Sequence, residues 1–118
     1  MIVYKVVKPY DGHYCSAVAT ITGLQLLYRV GHVTKPCFGK LFAFRCLDDA
    51  EDFALRTDVE GIVFTAFTKG TVREPVGIMS WGSGLTGIIA FWRGEKSYEC
   101  ETPEGTVLCD DIKLIRRV

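Results

Sequence analysis

The feature that most constrains this chain is its punctuation. Runs of four to eight β-prone residues are cut repeatedly by Gly, Pro and Asp, and only one stretch carries a helical stripe. "IVYKVVK" (2–8) reads as a first strand and "PYDGH" as the turn after it. "YCSAVATI" (14–21), "LQLLYRV" (24–30), "LFAFRC" (41–46) and "GIVFTAFT" (61–68) follow. Segment 31–40 is broken by Pro36 and two glycines and predicts an irregular link. "IIAFWR" (88–93), "SYECET" (97–102) and "TVLCDDIKLIRRV" (106–118) complete six to eight strands, with a bend at Asp110-Asp111. "CETPEGTVLC" (100–109) reads as a hairpin.

The exception is "LDDAEDFALR" (47–56). Leu47, Ala50, Phe53 and Ala54 recur at helical spacing, Asp48 and Asp49 sit where the helix dipole favours carboxylates, and Arg56 falls in the last turn. Cys46 is a poor N-cap. One helix among short strand links excludes a doubly wound parallel fold. The prediction is a single α+β domain over 1–118: a mainly antiparallel, curved or barrel-like sheet with one covering helix at about 47–56. Core positions expected are Val3 or Tyr4, Val6, Val18, Leu26, Phe42, Phe44, Ala50, Phe53, Val63, Ile89, Phe91, Ile112 and Leu114. On "LFAFRC", Phe42, Phe44 and Cys46 are expected to face inward and Leu41, Ala43 and Arg45 outward.

Composition narrows function. Fourteen basic and fourteen acidic residues cancel, so general nucleic-acid affinity is not expected. No run approaches the ~18 apolar residues of a membrane span. The start, "MIVYKVVKPY", is interrupted by Lys5 and Lys8 and lacks a leader pattern, and five cysteines are an odd number. Together these predict a cytoplasmic chain with reduced thiols.

The motifs that suggest chemistry fail on context. Gly82, Gly84 and Gly87 spell G-x-G-x-x-G, but "REPVGIMSW" before them is a poor strand, and the β-branched "IIAFWRG" after them is a poor helix. His13, Cys15, His32, Cys37 and Cys46 lack the paired spacing of a zinc site, so neither metal nor cofactor is expected. Cys46 stands at a helix N-terminus, yet Asp48 and Asp49 would raise its thiol pKa. What remains is a ligand-binding candidate. "LLYRVGH" puts Tyr28, Arg29 and His32 where a strand breaks at Gly31, and Trp81 stands in the longest stretch without strand pattern (69–87). Alternation sends Tyr28 and Arg29 to opposite faces.

Two resemblances bear on this. "YR" with a nearby glycine, an apolar strand and a helix holding Ala and Phe (24–56) resemble the outline of the ADP-ribosyltransferases. That outline implies a nucleotide-type ligand near Arg29 and His32, with the catalytic glutamate at Glu60, Glu74, Glu99 or Glu101. The family's second motif would fall near Cys46, which departs from it. Over more of the chain, "VYKVV", "YRVGHVTKPCFGKLFAF" with "DAEDF", and "PEGTVLCDDIKLIRRV" resemble small uncharacterised phage, archaeal and environmental proteins, which implies no activity. The leading expectation is a non-enzymatic binding or interaction module for a protein or small-molecule ligand. A homodimer is a further option, with 112–118 as an edge seam unless Lys113 and Arg117 block it.

Overall fold

A computed structural model describes residues 1–17, 27–36, 40–57, 59–69, 77–78, 100–101 and 104–118. Along them run β1 (Ile2–Tyr10), β2 (His13–Ser16), β3 (Leu27–Tyr28), β4 (Val33–Thr34), β5 (Leu41–Phe44), α1 (Leu47–Ala54) and β6 (Ile62–Phe67). β7 (Gly77–Ile78), β8 (Cys100–Glu101), β9 (Thr106–Cys109) and β10 (Ile112–Arg117) follow. Every ladder among them is antiparallel. The main sheet has the order β3-β2-β1-β6-β10-β4, with β5 joining β1 to β9, while β7 and β8 pair separately.

β1 organises the sheet. Val7 pairs with Ile62 on β6 and with Ser16 on β2, and Tyr4 pairs with Thr65 on β6 and with Phe44 on β5. One edge of β1 therefore serves β6, and its other edge forks, β5 meeting it at Tyr4 and β2 from Val7 onward. Lys5 stands at the fork.

The sheet must also curl. Five inter-strand steps of ~4.8 Å would part β3 from β4 by roughly 24 Å in a flat sheet, whereas the link between Tyr28 and Val33 spans at most about 18 Å. The ends come together without closing. Thr34 Oγ1 donates to the Leu27 carbonyl at 3.3 Å, but no ladder joins β3 to β4 among the described residues. The sheet is curved and not a barrel.

Paired residues share a face, so the two faces can be read from the register. One carries Val3, Val7, Phe64, Ala66 and Leu114 and packs with Leu41, Ala43, Val107 and Cys109 from β5 and β9. The other carries Val6, flanked by Tyr4 and Val63, and is covered by Ala50, Phe53 and Ala54 of α1.

β5 thus lies between two cores. Leu41 and Ala43, expected to face outward, are buried in the first core, and Phe44 is buried in the second. Phe42 is half-buried and Cys46 is exposed. Of the other expected core positions, Val3, Val6, Ala50, Phe53, Ile112 and Leu114 are buried, and Tyr4 and Val63 are half-buried. Val18, Leu26, Ile89 and Phe91 lie outside the described residues.

α1 ends at Ala54, short of the expected Arg56. That guanidinium lies 5.5 Å over the Phe53 ring instead of in the last helical turn. Cys46 is the N-cap and makes no side-chain cap bond. Residues 100–109 form no hairpin among the described residues, because β8 pairs with β7 and β9 with β5. The expected irregular link at 31–40 contains β4, which exists because β10 supplies its partners: Thr34 opposite Ile112 and Val33 opposite Lys113.

Candidate functional site

The residues singled out from the sequence part company. Tyr28 is 1% exposed, in the first core, and burial pushes its phenol pKa up. Arg29 and His32 are exposed on the turn between β3 and β4, where the His32 N–H donates to the Arg29 carbonyl at 3.1 Å. Gly31 holds that turn with φ +84°, a conformation open to glycine, and its N–H donates to the Leu114 carbonyl at 2.8 Å. Trp81, Met79 and the glycines at 82, 84 and 87 lie outside the described residues, as do Cys37 and Glu74. Glu60 belongs to the turn that leaves α1, where its N–H bonds to the Arg56 carbonyl. No group of three or more potential metal ligands occurs among the described residues.

Two polar arrangements remain. The first is internal and centres on Lys5, only 3% exposed. Its Nζ donates to the Phe42 carbonyl at 2.6 Å and to Ser16 Oγ at 3.3 Å, bridging the two arms of the fork. It also lies 5.3 Å from the centroid of the Tyr28 ring. Burial brings its pKa down to about 8, against a smaller opposing pull from Cys109 and Cys15. Burial likewise pushes the Cys109 thiol up, against Lys5 and its hydrogen bond with Thr68. An amine so enclosed, with its protons directed at Phe42 and Ser16, serves the fold. It ties two strands that no ladder joins.

The second arrangement is open. A groove of about 430 Å³ lies over the end of β6, β10 and β4. Val33, Phe67 and Ile115 give it an apolar floor, and Lys69, Lys113 and Asp111 give it charged walls. The register explains the floor: Val33, Lys113, Phe67 and Ile2 form one row across β4, β10, β6 and β1. The ladder of β10 on β6 slips between Leu114 and Arg116, so Ile115 has no partner there and is 43% exposed. Asp111 is fixed in place, its Oδ1 accepting from Thr68 Oγ1 at 3.0 Å and from the Lys69 N–H at 2.8 Å.

The surroundings are cationic. Lys69, Lys113, Arg116 and Arg117 are exposed, as are Arg29, His32 and Lys35 around the β3–β4 turn. None of these side chains makes an ion pair with a described residue. Lys40, by contrast, pairs with Asp110. The exposed acids Asp48, Glu51 and Asp52 sit on α1, which packs on β1, β5 and β6. A neutral chain is thus folded into an acidic helix and a cationic sheet end. Sequence reasoning noted Lys113 and Arg117 as edge charges but missed Lys69 and Phe67, which only the register of β6 with β10 brings beside them. No protein-family model matches this chain, and neither a curated protein nor a solved structure matches it.

Proposed function

We propose that this protein is a small non-enzymatic binding module whose anionic, partly apolar ligand seats in the groove over β6, β10 and β4. One observation carries the reading: an apolar floor walled by Lys69 and Lys113, two exposed lysines that make no ion pair with a described residue. A volume of about 430 Å³ falls within the range of small-ligand sites. Lysines converging on an apolar groove raise the local concentration of anions there. The second reading, a nucleotide-type ligand reaching Arg29 and His32, draws on the position of Gly31 at once in their turn and in the groove wall. A transferase would further need a glutamate facing Arg29. The free, buried Cys15 and Cys109 support a cytoplasmic setting, and no described helix is long and apolar enough to cross a membrane.

An anionic aromatic dye, anilinonaphthalene sulfonate, tests the groove. Saturable fluorescence enhancement is expected, weakened about tenfold by the double change Lys69→Ala and Lys113→Ala and by added salt. Binding that is indifferent to both lysines, with the fold intact by circular dichroism, overturns the reading.

A further inference from the structure

We infer that the occupant of this groove is an acidic, extended segment of a partner protein that adds as a strand to β10; this rests on the binding reading above and names its ligand. The first ground is the backbone. β4 covers β10 only at Ile112 and Lys113, and the Gly31 N–H takes the Leu114 carbonyl. From Ile115 to Arg117 the edge away from β6 has no ladder partner among the described residues. An open edge offers a row of amide donors and acceptors, the recognition mode of strand addition.

The second ground is charge. Lys113, Arg116 and Arg117 along β10, with Lys69 beside them, meet any added strand with unneutralised cations. Glutamates or aspartates on the face of that strand shared with Lys113 and Arg116 complement them.

The same charges disfavour a second copy. A two-fold antiparallel pairing of the open stretch 115–117 with itself, centred on Arg116, would set Arg116 against its own duplicate, and like charges directly opposite destabilise a strand pair. A single-stranded nucleic acid fits less well. The groove floor is aliphatic apart from a half-buried Phe67, and bases bind such surfaces by stacking on exposed rings.

The experiment is a fluorescence-anisotropy titration of the full chain with a labelled octapeptide of alternating glutamate and valine. Three control peptides accompany it, one with lysine for glutamate and two N-methylated at alternate amides in opposite registers. The acidic peptide is expected to bind, and the lysine peptide not to. N-methylation of the amides that face β10, and the double change Lys69→Ala and Lys113→Ala, are each expected to weaken binding about tenfold. Equal binding of both N-methylation registers overturns strand addition. Tighter binding of labelled oligothymidylate than of the acidic peptide overturns the partner class. Concentration-dependent dimerisation in the ultracentrifuge that excludes the acidic peptide assigns the edge to a second copy and likewise overturns it. If the dye binds through the two lysines and the peptide does not, this inference fails and the binding module stands. If neither binds, both fail.

Discussion

Lys5 and Lys113 flank the same strand from opposite sides. Lys5, on β1, pairs with Phe64 of β6; Lys113, on β10, pairs with Phe67. The two phenylalanines lie on opposite faces of the sheet, and that parity separates the fates of the lysines. Lys5 falls on the face closed by β5 and β9, where burial lowers its pKa to about 8 and the Phe42 carbonyl receives its ammonium. Lys113 falls on the opposite face, which α1 covers farther along, over Val6 and Val63, and its ammonium pairs with no described residue. An internal charge survives because the fold has aimed partners at it. An external charge without partners is free for something else. The contrast separates charge that folding has used from charge that folding has left over, and substitution should treat the two sites differently.

The largest effect is expected at Lys5. Lys5→Ala leaves a void at the fork and removes the donor from the Phe42 carbonyl, costing about 2–5 kcal/mol in urea denaturation. Lys5→Met keeps the volume of the stem and escapes the desolvation of the ammonium, so its cost is smaller, about 0–2 kcal/mol at neutral pH. The pH dependence sharpens this. The folded-state pKa of about 8 lies below the ordinary 10.5. Between those values the unfolded chain binds more protons than the folded one, and the contribution of Lys5 to stability rises with pH. Tyr28 and Cys109 act in the opposite sense, since burial raises both and each loses stability as pH climbs past its ordinary value. Both residues are present in wild type and in Lys5→Met, so their own contributions largely cancel in the difference, and the pull of Lys5 on Cys109, which does not cancel, acts in the same direction as Lys5 itself. That difference should grow in favour of wild type from pH 8 to pH 10. A flat difference would mean that the amine is not desolvated and that the contrast with Lys113 is empty.

Two glycines extend the comparison to the backbone. Gly61 has no unusual φ, but a Cβ there would run into Val6, with Ala17 and Val59 close by, all in the core under α1. Gly61→Ala is expected to cost about 1–3 kcal/mol through overpacking. Gly31 is the reverse case, with open space around it and φ +84°. Gly31→Ala should cost about 1 kcal/mol from backbone strain alone. In the groove it should loosen the Leu114 bond that bounds the open edge. Equal costs at both positions would show that this turn is packed as tightly as the core.

Much of this was legible locally. Alternation in "IVYKVVK" gives β1, the stripe in "LDDAEDFALR" gives α1, and opposite parity places Tyr28 inside and Arg29 outside. What escaped depends on distant partners. Lys5 reads locally as a break in an apolar run, because its partners Ser16 and Phe42 lie 11 and 37 residues away. Leu41 and Ala43 look outward-facing until β9 is laid beside β5, which buries that side of the strand too. The groove has the same origin. Its walls come from residues 31–33, 67–69 and 111–115, three segments that the net charge of zero averages with the acids of α1. No window along the chain contains that surface.

The smallest effect on stability is expected at Lys113, and its smallness decides whether the comparison holds. Lys113→Ala removes no ion pair and no buried contact, so the urea midpoint should move by no more than about 0.5 kcal/mol in equivalent stability. Its sign is also fixed. Lys113 stands among three cations, Lys69, Arg116 and Arg117, with Asp111 the one acid of the groove wall and no ion pair to it, so removing it relieves more repulsion than it loses attraction, and the variant should be slightly the more stable at low salt. Raising the salt from 0.1 M to 1 M shortens the screening length from ~10 to ~3 Å and should erase that gain. A loss of more than about 1 kcal/mol at either salt concentration would make Lys113 a structural residue like Lys5. The charge on β10 would then belong to the fold and not to a ligand.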